Sequence, residues 1–191
     1  MLNRRQIQTL CNTHGKRRTN YILQNLSPYI DHLEHPYGRI YKLNQKGINL
    51  IGEGKLLKWG NVNHRLLRND AYIYYRPSEW QAEVEMEYRN IMITPDAFFK
   101  SGMTYKFLEV DITQQWYKNL EKLSNYAKMR DVGIFQKQYG HFPLLVWVVE
   151  IESRVNKIKN ECARLNLPCE VFTSSQIKDI SERVEGIRIS I

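Results

Sequence analysis

Apolar residues recur along this chain with two periods, and the change between them divides it. In the first sixty residues the recurrence is helical: Ile7 and Leu10 share one face of RRQIQTLCN, THG interrupts, and KRRTNYILQNLSPYI resumes the pattern through Ile22 and Leu26 as far as Pro28. DHLEHPYGRIYKLNQKGINLI then predicts a strand, a turn at Pro36-Tyr37-Gly38, a second strand RIYKL and a short helix after Asn44. NVNHRLLRNDAYIYY, with Val62, Leu66, Leu67, Ile73 and Tyr74 near one face, predicts a helix that bridges the two halves. Beyond it the period shortens to two. WQAEVEMEYRN sets Ala82, Val84, Met86 and Tyr88 against Glu83, Glu85 and Glu87, the pattern of one half-exposed strand whose glutamates are solvated.

The following stretch, ITPDAFFKSGMTYKFLEVDITQQWYKNLEK, predicts a strand from about Pro95, a turn containing Gly102 and a returning strand YKFLEVDIT. Antiparallel pairing brings Asp96 towards the end of the second strand, where Glu109 and Asp111 lie two residues apart on one face while Leu108 and Val110 feed the other. Buried carboxylates need a partner or a metal, and three that converge would suit the oxygen-seeking ions Mg²⁺ or Mn²⁺. The helix that follows directs Trp116, Leu120, Leu123 and Ala127 inwards and sets Lys122 and Tyr126 one turn apart on a shared flank. Lys122 has no acid three or four residues away, so an ordinary ion pair within the helix does not account for it. HFPLLVWVVEIE reads as a strand buried on both faces, SRVNKIKNECARLNLP as an amphipathic helix and CEVFTS as a final strand. From residue 61 the order of elements predicts a three-layer α/β domain with a central mixed sheet.

Charge sharpens the division. Residues 1–60 hold ten Lys or Arg against three Asp or Glu, a balance of +7, whereas residues 61–191 hold eighteen against seventeen. A basic module of this size is the footprint of phosphate-backbone binding, and it makes double-stranded DNA the expected partner. Lys16, Arg17, Arg18 and Asn20 open the second helix, the position from which a recognition helix meets bases and phosphates. Arg39, Lys42 and Lys46 fall on or near the strand pair behind it, which has the outline of a wing. A winged helix ordinarily has a helix before this pair, and only three residues precede Arg4. The module is therefore trimmed, borrows the helix at 61–75, or completes itself in a homodimer. The longest apolar run, FPLLVWVV, is too short to cross a bilayer, and the N-terminus lacks the apolar block of a signal peptide, so a soluble cytoplasmic protein is expected. Three cysteines without metal-ligand spacing are expected to be reduced and structural.

A PD pair, about a dozen residues, and an acidic strand end in this order of elements resemble the PD-(D/E)XK, or restriction-endonuclease-like, nucleases. The whole chain resembles the plasmid replication-relaxation family, on RIYKLNQKG, His64 in NVNHRLL, PDAFF, FLEVD, KLSNY at 122–126 and VVEIESR. The resemblance implies a winged helix over residues 1–58 and a nuclease-like domain over 59–191. It also implies metal-ligand roles for Asp96 and Glu109. The motif lysine is missing: its place, two residues after Glu109, is taken by Asp111. Lys122 is the substitute the resemblance offers, since in this fold the lysine can move to the adjoining helix, and Asp111 would then become a third ligand. Two functions stay open, a Mg²⁺- or Mn²⁺-dependent endonuclease that nicks or cuts DNA, and an inactive nuclease-fold regulator that binds it. A purely structural interaction protein would leave the one-sided charge without a reason.

Overall fold

The computed structural model describes residues 1–178 apart from 14, 37 and 53, and the chain divides into two compact units, Met1–Ile73 and Tyr74–Ile191. The first unit runs β1 (Leu2–Asn3), α1 (Arg4–Leu10), α2 (Lys16–Asn25), β2 (Ile30–Leu33), β3 (Ile40–Leu43), α3 (Gln45–Ile51) and most of α4 (Val62–Tyr75). Its strands form an antiparallel sheet in the order β1-β3-β2. Asn3 starts α1 with a reciprocal capping box: its side chain accepts from the Gln6 N–H at 2.9 Å, and the Gln6 side chain accepts from the Asn3 N–H. Asn44 caps α3 by accepting from the Gly47 N–H at 3.0 Å. Gly47 must be glycine, because a Cβ there would stand 2.3 Å from the Tyr29 carbonyl oxygen. Of the expected turn 36–38, Tyr37 lies outside the described residues, and the Gly38 N–H donates to the His35 carbonyl at 2.8 Å.

The helix that completes this unit follows the strands. Gln6, fully buried, donates from Nε2 to the Leu66 carbonyl at 2.8 Å and to Asp70 Oδ1 at 2.6 Å, and Arg5 pairs with the same buried carboxylate. The boundary between the two units falls inside α4, and α1 closes on the first part of that helix through Asp70.

The second unit contains β4 (Glu79–Ala82), β5 (Met86–Tyr88), β6 (Ile91–Ile93), β7 (Ala97–Ser101), β8 (Thr104–Asp111), α5 (Trp116–Val132), α6 (Ile134–Tyr139), β9 (Leu144–Val149), α7 (Glu152–Arg164) and β10 (Cys169–Thr173). Five strands form a mixed sheet in the order β10-β9-β8-β7-β4, with β8, β9 and β10 parallel and β7 and β4 antiparallel. Residues from α5, α6 and α7 and from the β5–β6 hairpin cover one face around Phe98, Phe107, Trp147 and Ile158. The opposite face holds Phe99 and Phe172 against Tyr75 and Tyr74 at the end of α4.

The single strand expected from WQAEVEMEYRN is divided. Its pairing with β7 ends at Ala82–Ala97, and Glu83 turns the chain with a φ of 53°. Beyond Ala82 the chain leaves the five-stranded sheet after one last bond, from the Glu83 N–H to the Asp96 carbonyl at 3.1 Å, and β5 pairs with β6 as a separate hairpin. After the break the alternation holds, with Val84, Met86 and Tyr88 packed on the core and Glu83, Glu85 and Glu87 exposed, whereas Ala82, expected on the inner side, is exposed.

Candidate functional site

Strand β8 is hydrogen-bonded on both sides, by β7 and β9, and all residues from Lys106 to Asp111 are buried. Alternation sends Leu108 and Val110 to one face, leaving Phe107, Glu109 and Asp111 to the face covered by α5. Two carboxylates thus enter a layer otherwise built of Leu123, Tyr126 and Trp147. Each is met by a different set of donors.

Glu109 is 1% exposed. Its Oε1 accepts from the Tyr126 hydroxyl at 2.6 Å, and its Oε2 faces Lys122 Nζ at 2.5 Å. Burial pushes its pKa up to about 7, against the lowering by the Lys122 ammonium, and nearby Asp96 raises it further. Burial lowers the pKa of Lys122, but Glu109, joined by Asp96 and Asp111, raises it by more, so the lysine is held in its charged form. Tyr126 is buried, and burial and Glu109 both push its hydroxyl well above the usual range. Its hydroxyl orients the Glu109 carboxylate from within the core.

Asp111, 2% exposed, belongs to another network. Oδ1 accepts from the Gln114 N–H at 2.9 Å, and Oδ2 accepts from Asn119 Nδ2 at 2.6 Å and Arg154 Nη1 at 2.9 Å. Arg154 also donates from Nη2 to the Gln114 carbonyl at 2.8 Å. The carboxylate is thereby spent on joining the end of β8 to the starts of α5 and α7. Asp96, just before β7, accepts from the Val110 N–H through Oδ2 at 2.7 Å, while its own N–H donates to the Leu108 carbonyl at 2.9 Å. The hairpin does bring Asp96 to the end of β8. Among the described residues, however, no group of three or more His, Cys, Asp or Glu side chains is placed to share an ion. The three-carboxylate cradle is therefore not assembled here, because the donors around Asp111 draw it towards α7.

Asp96 and Glu109 lie close enough for the one charge to raise the pKa of the other, and they are the two carboxylates that could share a cation. Mg²⁺ commonly takes only one or two protein carboxylates and completes its octahedron with water and substrate phosphate, so a pair fits its chemistry. A cavity of about 280 Å³ opens beside Glu109, lined by Met92 and Thr94 from the hairpin side and by Lys118, Glu121 and Lys122 from α5.

In the first unit, Lys16, Arg17, Arg18 and Asn20 all lie exposed on α2, and Lys46 is exposed on α3. Arg39 is exposed but held by Glu34 at 2.6 Å. Lys42 does not face solvent: it is 8% exposed, its Nζ donates to the Leu57 carbonyl at 2.6 Å and it lies over the Trp59 ring. The alternation of IYKL turns it inwards, and the segment after α3 closes over it. The expected wing contact at Lys42 is thus corrected to a structural one. All three cysteines are unbridged, with Cys162 in the core.

Gln114 and Asn119 were not among the residues that the sequence picked out, and Arg154 entered only as the end of the VVEIESR motif, with no role assigned. Parallel pairing supplies the missing signal, because the register Asp111–Val149 sets the two strand ends side by side and brings the start of α7 to Asp111. No helix of the described residues is long and apolar enough to cross a membrane. A family model described as replication-relaxation matches residues 1–145, a span that contains Asp96, Glu109, Asp111 and Lys122 and ends before Arg154. No curated protein and no solved structure matches the chain.

Proposed function

The chain belongs to the replication-relaxation family, and from that premise we propose that it binds duplex DNA of a plasmid or mobile element through a winged-helix first unit and hydrolyses a phosphodiester bond with its second. The observation that carries the catalytic reading is Lys122, which reaches from α5 to the Glu109 carboxylate at 2.5 Å. It brings from the neighbouring helix the positive charge that Asp111 cannot supply.

In this reading Asp96 and Glu109 hold a Mg²⁺ or Mn²⁺ ion, which when bound makes its water more acidic and neutralises the scissile phosphate. Lys122 adds a fixed positive charge where negative charge develops on the phosphoryl oxygens. Tyr126 fixes the Glu109 carboxylate by donating to Oε1. Asp111 is a positioning residue that holds α5, and so Lys122, against the end of β8. Lys118, exposed at the rim of the cavity, is placed to meet a phosphate further along the strand.

One observation favours a second reading, a nuclease-fold regulator that binds DNA without cutting it. Asp111 stands at the motif lysine with its carboxylate bound by Asn119 and Arg154, and among the described residues no three carboxylates are placed to share an ion. Supercoiled plasmid separates the two. With Mg²⁺ or Mn²⁺ the wild type should convert it to open-circle or linear DNA, and Asp96→Ala or Lys122→Ala should slow conversion by about 100-fold or more. Wild type and Asp96→Ala that are equally inert, yet both retard DNA on a gel, would establish the regulator.

A further inference from the structure

The exposed side of α2 carries more than positive charge. At roughly 100° per residue, positions 17, 20, 21 and 24 fall on one stripe of the helix. In this chain they are Arg17, Asn20, Tyr21 and Gln24, all exposed, with Tyr21 at 66%. Thr19 and Leu23 lie on the opposite side and are buried, and the Thr19 hydroxyl is fixed by Thr13 at 2.8 Å and by the Gly15 carbonyl at 3.1 Å. The helix is held by its inner side, through the burial of Thr19 and Leu23 and the bond from Thr19 to Thr13 in the preceding turn. Lys16 and Arg18 are exposed on the two flanks of the stripe, about a quarter-turn or slightly more from its centre.

This arrangement has a chemical match. An arginine, two carboxamides and an aromatic ring are side chains suited to base edges: arginine to guanine O6 and N7, asparagine or glutamine to adenine N6 and N7, and an apolar surface to the thymine methyl. A cation on either flank suits a groove walled by two phosphate strands. The first thirty residues contain no Asp or Glu, so no acid of this segment opposes an anion. From Arg17 to Gln24 the stripe rises about 10 Å, the height of roughly three base-pair steps.

We propose that α2 lies in the major groove and reads three to four adjacent base pairs through Arg17, Asn20, Tyr21 and Gln24, while Lys16 and Arg18 bind the phosphates on either wall. Arg17 takes a guanine, Asn20 and Gln24 take adenines, and Tyr21 packs on a thymine methyl. The proposal rests on the DNA-binding reading above and adds the specificity residues, of which Tyr21 and Gln24 carry no charge and so leave no mark in the charge pattern.

The test is selection from a random duplex pool by the full chain, followed by binding measurements on the selected site and a scrambled one. Wild type should enrich a short A·T-rich core with a fixed guanine. Asn20→Ala and Gln24→Ala should each relax the preference at one adenine and weaken the selected site by about ten-fold, with little effect on the scrambled duplex. Lys16→Ala and Arg18→Ala should weaken both duplexes alike and each lower the slope of log affinity against log salt by about 1. Since all four side chains are exposed, unchanged thermal melting will confirm that the variants fold. Duplex binding without enrichment, or an enriched site unaltered by Asn20→Ala and Gln24→Ala, overturns the inference and leaves DNA binding intact. Failure of the wild type to bind any duplex at low salt overturns both.

Discussion

Glu109 is under a tension that no surface glutamate meets. It is fully buried, and the ion pair with Lys122 does not repay its loss of water, so its pKa stands at about 7 against an ordinary 4.5. The folded state therefore binds the proton more tightly than the unfolded chain does. Stability from this group is fully present below about 4.5 and is lost as pH rises through about 7, on the order of 3 kcal/mol across the window. Glu109→Gln removes the titration but keeps an acceptor for Tyr126. With a chelator present, melting temperatures should show wild type losing stability relative to Glu109→Gln between pH 5 and pH 8. Curves that stay parallel would mean that Glu109 is already ionised across this range and that Lys122 fully compensates its burial. A carboxylate kept at such a disadvantage for folding is well explained if a cation binds it in use.

Asp111 acts between elements. It caps the turn into α5 through Gln114, holds Asn119 on the first turns of that helix and receives Arg154 from α7. Restoring the motif lysine at this position should therefore not improve a nuclease. Asp111→Lys would set an ammonium against the Arg154 guanidinium and leave the buried Asn119 amide without its acceptor, a loss of about 3–5 kcal/mol. Chemical denaturation should show it, and a variant as stable as wild type with higher nuclease activity would remove the positioning role. This marks where the sequence was legible. Strand alternation and the turn at Gly102 were enough to pair β7 with β8, to bring Asp96 to Glu109 and to put Lys122 and Tyr126 on one flank, because all of these follow from local periods. Partners that cross a parallel connection were not legible, since Arg154 reaches Asp111 over 43 positions through the β8–β9 register. Lys42 shows a second blind spot. It was expected to meet phosphate from the wing, and the residue that accepts from it, Leu57, comes from a segment with no period to predict its path. The break at Glu83 likewise depends on where β7 begins, a property of the neighbouring strand and not of WQAEVEMEYRN.

Across the whole chain the charge of residues 1–60 is +7 and that of the remainder is nearly zero, while the candidate chemistry lies entirely in the nearly neutral part. If one unit supplies affinity and the other the reaction, the two should fail separately. Arg39 is held by Glu34 and Lys42 by Leu57, which leaves Lys16, Arg17 and Arg18 on α2, with Lys46 on α3, as exposed cations of the predicted set, and of these Arg17 is assigned to a base. Lys16→Ala combined with Arg18→Ala should thus flatten the salt dependence of binding by about 2 in the log–log slope. The DNA concentration for half-maximal cleavage should rise by ten-fold or more at moderate salt, with the rate at saturation unchanged, because the reacting groups are untouched. Asp96→Ala should do the reverse, keeping affinity and salt slope while the saturated rate falls. A double substitution on α2 that lowers the saturated rate as strongly as Asp96→Ala would show that α2 helps to assemble the reacting site, and the division of labour between the units would have to be given up.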